Sequence, residues 1–176
     1  AAFVSTFGLQ YSVLMPVIAD KLLHGESVAY GFLSAAGGVG ALAGALTVAF
    51  MGDRQGLRKR IGWACLGLSL ALALLAFSQF MILSVVAILA AGSCLSMHWT
   101  GGNSLMQQCV EPSSRGKLMG VYTTFTLGLA PFTALIAGWS AEHFGVSTAL
   151  LISASGMLVG SVLYLIKVRK LADACL

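Results

Sequence analysis

Residues 30–78 read YGFLSAAGGVGALAGALTVAFMGDRQGLRKRIGWACLGLSLALALLAFS. An apolar run of 22 residues (30–51) is followed by Gly52-Asp53-Arg54-Gln55-Gly56-Leu57-Arg58-Lys59-Arg60 and then by a second apolar run, 61–78. About 20 apolar residues in a helix cross the ~30 Å hydrocarbon core of a bilayer. The stretch therefore reads as two membrane helices joined by a short basic connection. Working outward, four more apolar stretches appear: 1–19, 80 to beyond 99, 118–141 and 146–166. Only the first lacks a flanking anchor on its N-terminal side.

The composition agrees. Of 176 residues, 58% are hydrophobic and 9% charged, and the mean hydropathy is +0.91. A soluble domain is about one quarter charged, so a water-soluble monomer does not fit this balance, and neither does a disordered or collagen-like chain. Glycine is high, 21 of 176, against a norm of about 7%. Small residues let membrane helices approach closely, and Gly40-x-x-x-Gly44 and Gly156-x-x-x-Gly160 have that spacing. The cysteines at 65, 94, 109 and 175 form no C-x-x-C pair and read as small apolar packing residues. No signal peptide is recognisable, and the opening Ala1-Ala2-Phe3-Val4 suggests a cut inside a longer protein.

Basic residues give the topology. They lie at 21, 54, 58, 59, 60, 115, 117, 167, 169 and 170. Along an alternating six-helix path, all except Lys21 fall on one side. The positive-inside rule makes that side cytoplasmic, with both termini there. The +4 net charge is thus a topology signal, and no nucleic-acid partner is implied. The ends of the second and fifth helices match at an offset of 89, Ala49 to Gly56 against Gly138 to Gly145, each with an acid, a base, one residue and glycine. One copy would face the cytoplasm and the other outside; the alternative is that acid-base-Gly is a common helix stop. The fold class expected is an all-α polytopic membrane protein, its six transmembrane helices arranged as two inverted three-helix repeats. Repeat one spans about 1–78, repeat two about 79–166, and a cytoplasmic tail covers 167–176.

The basic connection resembles the loop motif of the Major Facilitator Superfamily, G-x-x-x-D-R-x-G-R-R/K, as it recurs between the eighth and ninth helices of twelve-helix members. Asp53, Arg54, Gly56 and Arg58 match it; Ala49 and Leu57 depart from it. Asn103-x-x-x-Gln107 followed by Pro112-x-x-Arg115-Gly116-Lys117-Leu118-Met119-Gly120-Val121-Tyr122 is similar to the tenth-to-eleventh helix connection of the exporter branch related to enterobactin exporters, the transmembrane secretion effectors. Tyr11 with Pro16 suits that branch's seventh helix. The resemblance implies the C-terminal six-helix half of such a transporter, with Asp53, Arg54, Gly56 and Arg58 as a cytoplasmic gate and Arg115 and Gly116 in a second loop motif. It also implies a bacterial inner membrane. An acid at a helix end that pairs with arginines supplies the physical basis of such a latch. The alternative is a plain topology anchor.

All six carboxylates sit at helix ends or in connections, so no carboxylate proton relay crosses this half. Candidates for a substrate cavity are Gln10 and Tyr11 near the midplane, and His98, Asn103 and Gln107 toward the cytoplasmic end; Trp99, Asn103 and Gln107 share one helical face. Interhelical hydrogen bonding is the competing role for Gln10 and Tyr11. For His98 it is an interfacial position beside Trp99.

The function expected is secondary transport by alternating access, exporting a small organic molecule such as a drug or siderophore. An amphipathic or apolar compound suits the few polar cavity residues better than a sugar. Partners are the lipid bilayer, the substrate, and the missing N-terminal half or a second copy. No cofactor, metal or catalytic group is expected. A non-transporting membrane protein acting as a dimer or partner subunit is the alternative. An intramembrane hydrolase is disfavoured, because Ser153 and Ser155 follow His98 where rhomboid-type proteases have the serine first, and there is no H-E-x-x-H.

Overall fold

The computed structural model describes residues 4–8, 10–23, 27–50 and 54–173. Among them there is no β-strand. A π-helical turn, Val4–Gly8, precedes α1 (Gln10–Leu23). Then come α2 (Ser27–Ala49), α3 (Arg54–Ala76) and α4 (Met81–Cys109). A 3-10 turn, Pro112–Ser114, leads into α5 (Arg115–Gly128), α6 (Ala130–Phe144) and α7 (Val146–Asp173). Five spans are long and apolar enough to cross a membrane: Val28–Ala49, Gly56–Ala76, Met81–Gln108, Arg115–Phe144 and Val146–Lys167. The chain is an integral membrane helical bundle. Phe32, Leu42, Leu70, Ile82 and Leu163 stand exposed on its flanks, as lipid-facing side chains must.

Helices α2 and α4 run parallel and touch backbone to backbone. A Cβ at Gly40 would collide with the Leu89 carbonyl, one at Gly44 with the Ser93 carbonyl, and one at Gly92 with the Gly37 carbonyl. Ser93 Oγ donates to the Gly40 carbonyl at 2.9 Å, across the seam, and to Leu89 at 3.0 Å within its own helix. Lipid tails are as apolar as leucine, so close packing and such hydrogen bonds must hold the pair. The Gly40–Gly44 spacing therefore does what its sequence suggests.

Helix α3 crosses antiparallel to both α4 and α7. Leu68, Leu72 and Leu75 are fully buried, as are Ala87 and Ile88 of α4 and Leu150 of α7. Ser69 Oγ donates to the Ala154 carbonyl at 2.7 Å, tying α3 to α7. Three registers fix the ends of the bundle: Gly44 against Ser93, Cys65 against His98, and Gly62 against Leu165. They bring the start of α3, the α4–α5 connection and the end of α7 to one end. The segments carrying nine of the ten basic residues thus lie together.

Three boundaries differ from the sequence expectation. The third helix starts at Arg54 rather than 61, so Arg58, Lys59 and Arg60 are helical. Arg, Lys, Gln and Leu are all good helix formers, and only Gly56 opposes them. The fifth apolar stretch is two helices, with the break at Leu129. Pro131 lacks an N–H and its ring crowds the carbonyl four residues back; Leu129 keeps φ −80°, ψ −17°, so the break interrupts hydrogen bonding without making a turn. The first stretch is likewise divided, into the π-helical turn and α1, with Pro16 inside the latter. Helix α6 stops at Gly145. Its φ of 84° is open to glycine and strained for other residues, and α7 begins at the next residue.

Candidate functional site

Helix α4 carries Trp99 between two cavities of similar size. One, of about 200 Å³, lies between α1, α2 and α4 and is lined by Tyr11, Gly37, Ala41, Ser96, Trp99 and Thr100, among others. Gly37 and Gly92 leave its floor without side chains. The other, of about 190 Å³, lies between α4 and α5 and is lined by Trp99, Asn103, Met119, Tyr122, Thr126 and Leu127, among others. Residues 99 and 103 are one turn apart on one face, so a single helix stripe borders both spaces. The first cavity opens beside the tight α2–α4 seam. The second exists because α5 leans little on its neighbours: Thr126 is its one buried residue among those described, whereas α3 buries Leu57, Ile61, Ala64, Cys65, Leu68 and Leu72.

The polar groups of the α4–α5 cavity are unequal. Thr126 Oγ1 donates to the Tyr122 carbonyl at 2.7 Å and is satisfied within its own helix. Asn103 Oδ1 is buried and has no hydrogen-bond partner. Leaving a buried acceptor unpaired costs about 1–3 kcal/mol. An aromatic wall with one unpaired acceptor suits a flat, largely apolar compound that brings its own N–H or O–H.

The other residues singled out from the sequence divide into three groups. Tyr11 is buried and borders the first cavity. Gln107 is exposed and shares a separate recess, of about 380 Å³, with Ser104, Gln108 and Arg115. There Gln108 Nε2 donates to Ser104 Oγ at 3.1 Å, and Arg115 Nε to the Val110 carbonyl at 3.4 Å. Gly116 is exposed at the start of α5, with open space around it. Gln10 and His98 border neither cavity. Gln10 is buried, donates to the Thr6 carbonyl at 3.0 Å, and accepts a hydrogen bond from Ser153 Oγ of α7. It is an interhelical tie. His98 is buried between α3 and α4 with its Nδ1 3.1 Å from Cys65 Sγ, because α4 turns this side toward α3. Asp53 and the side chain of Arg54 lie outside the described residues. Gly56 is half-buried, and Arg58 is exposed, its carbonyl accepting from Tyr164 Oη at 3.4 Å.

Thr126 and Ser96 were not singled out from the sequence, and Tyr122 stood there only at the end of the second loop motif. Ser96 and Trp99 extend the Asn103–Gln107 stripe back by one turn each, so that signal was present. Tyr122 and Thr126 depend on how α5 sits against α4, which no spacing encodes. Among the described residues, no group of three or more His, Cys, Asp or Glu side chains is placed to hold a metal ion.

The comparisons with known proteins bear on the whole chain. A fungal protein, the MFS-type transporter ppzB of Metarhizium rileyi (strain RCEF 4871), is 34% identical over 90 residues, which cover 49% of this chain and 18% of that protein. The chain thus matches less than a fifth of that relative's length. No solved structure matches. The profile of the transmembrane secretion effectors matches residues 2–175, nearly the full length. Together with the all-helical, membrane-spanning bundle, that match identifies the chain as a member of the transmembrane secretion effector family of major facilitator transporters.

Proposed function

We propose that this chain forms one six-helix half of an exporter of small organic molecules, and that its substrate passes along the Ser96–Trp99–Asn103 stripe of α4. The family description, a secretion effector, supports export. The observation that carries the substrate path is the pair of cavities sharing Trp99, one of them with the unpaired Asn103 oxygen. Aromatic and apolar walls with few polar groups favour an amphipathic or apolar compound with a hydrogen-bond donor, such as a drug or a siderophore-like molecule. Alternating access around a midplane site between two bundles is the mechanism. In this reading the chain is the C-terminal half, built as two inverted repeats.

The exposed apolar side chains of α5 and α6, Phe125, Leu127, Phe132, Leu135 and Ile136, support docking of a second bundle, either an N-terminal half or another copy. Asp53, Arg54, Gly56 and Arg58 then act as the gate at the basic end, with Arg115 and Gly116 in the second connection. Both termini are cytoplasmic, and the membrane is a bacterial inner membrane.

Uptake of lipophilic dyes into everted vesicles carrying the full-length protein tests this. Trp99→Ala and Asn103→Leu should both slow transport at unchanged expression. Wild-type rates in both variants would refute the substrate path.

A further inference from the structure

Cavities in the bundle differ in what lines them. The two that border Trp99 have mostly aromatic and apolar walls. The recess of about 380 Å³ at the α4–α5 connection is lined by Ser104, Gln107, Gln108 and Arg115, all polar and none acidic. It is the next layer along the same two helices. From the α4–α5 cavity, Asn103 steps forward to Gln107 on α4, and Met119 steps back to Arg115 on α5. Each step is four residues, about 6 Å along the axis, and stays on one face. The opposite directions are those of antiparallel neighbours.

The recess offers hydrogen-bond donors. Arg115 Nε donates to the Val110 carbonyl at 3.4 Å, and the guanidinium has no other partner among the described residues. Its two terminal amino groups are left for a ligand. Ser104 Oγ accepts from Gln108 Nε2 at 3.1 Å, so its own proton is free to be donated. Gln107 is exposed, and its amide is unpaired among the described residues. Glu111, in the same connection, makes no ion pair with Arg115 among the described residues. A planar guanidinium fork beside hydroxyl and amide donors matches the oxygens of a carboxylate, sulfonate or phosphate. Topology alone needs a basic residue in this connection, and Lys117, which is not part of the recess lining, supplies it.

We infer that the Arg115 recess receives the acidic group of the exported compound while its aromatic body lies against Trp99 and Tyr122, so that the substrate is an amphipathic organic anion. The inference rests on the substrate path proposed above. Asn103 stands on α4 between the Trp99 and Gln107 levels, and its unpaired oxygen takes an N–H or O–H of the body.

Two dyes read the site directly. Anilinonaphthalene sulfonate, in the isomer with amine and sulfonate at opposite ends of the naphthalene, and its neutral parent phenylnaphthylamine share one aromatic body and one N–H. Both brighten in apolar surroundings, so titration of the full-length protein in phosphatidylcholine nanodiscs, against empty discs, gives both dissociation constants. Wild type should bind the sulfonate at least about tenfold more tightly. A hydrogen bond to a charged group carries about that factor, so Arg115→Gln should weaken the sulfonate about tenfold and the neutral dye less than about twofold. Arg115→Lys keeps the charge without the fork and should fall between. Lys117→Gln removes the same charge outside the recess and should change neither dye more than about twofold. Trp99→Ala should weaken both dyes; if it weakened neither, the substrate path would fall and this inference with it. With that path intact, three results would overturn the acid site alone: equal losses for both dyes in Arg115→Gln, equal losses of the sulfonate in Arg115→Gln and Lys117→Gln, or no preference in wild type. Displacement of the sulfonate by an equal concentration of glycerol phosphate would also overturn it, by assigning the recess to a phosphate or a lipid headgroup.

Discussion

Helix α4 is used in two opposite ways. Toward α2 it offers Leu89, Gly92 and Ser93 to Gly37, Gly40 and Gly44, and the two backbones meet with no room for a Cβ at Gly40, Gly44 or Gly92. Toward α1 and α5 it offers Ser96, Trp99 and Asn103, and two cavities of about 200 and 190 Å³ open there. The seam is made of the smallest residues and its interhelical hydrogen bond is complete. The cavity face has the largest side chain of the helix and an unpaired buried oxygen. In a bilayer, where burial of apolar surface separates no helix from lipid, stability goes to faces that pack and pair. In the substrate path we propose, function is left to the faces that do not. One helix can therefore be rigid on one side and receptive on the other.

Substitutions at the two faces should have opposite consequences. The largest effect is expected at the seam. Gly40→Leu puts a side chain where the Leu89 carbonyl stands, and overpacking of this kind costs about 3 kcal/mol or more; monodisperse protein should be lost in size-exclusion chromatography. Next, Trp99→Ala should cut transport about tenfold, the weight of one aromatic contact worth ~1.4 kcal/mol, while the protein still purifies with a near-native melting curve. Ser153→Ala removes the donor to Gln10 and leaves its oxygen unpaired, a loss of about 1–2 kcal/mol by thermal unfolding, and its effect on transport should follow only from stability. Asn103→Leu should do the reverse. Removing an unpaired acceptor should raise stability by about 1 kcal/mol even as transport falls. Ser93→Ala is the smallest, about 0.6 kcal/mol for one interhelical hydrogen bond. If Ser93→Ala impaired transport more than Trp99→Ala at equal expression, the division between the two faces would be wrong.

The same division explains what could be read in the sequence. Composition, apolar lengths and the one-sided basic residues led to a helical membrane bundle, because these properties follow from the solvent and need no knowledge of neighbours. Gly40 and Gly44 were legible for a similar reason: a missing side chain permits few roles. Polar residues inside the membrane were harder. Gln10 and His98 have the chemistry of cavity residues, yet one is tied to Ser153 and the other faces Cys65. Their roles depend on helix rotation, to which an apolar stretch without a polar stripe gives no clue. Asn103 was legible as one of a polar series at i, i+4 spacing. Its unpaired oxygen was not, since that depends on what α5 fails to supply. The start of α3 was misplaced because hydropathy marks the edge of the hydrocarbon, and the helix continues past it into water.

Thiol labelling of the full-length protein, in a background with its native cysteines replaced, compares the two faces in one experiment. Asn103→Cys should react with a membrane-permeant maleimide and be slowed by a transported compound, whereas Ser93→Cys should stay unreactive in the α2–α4 seam. Equal labelling at both positions, or labelling of Asn103→Cys that no transported compound slows, would contradict the assignment of the Trp99–Asn103 face to the substrate path.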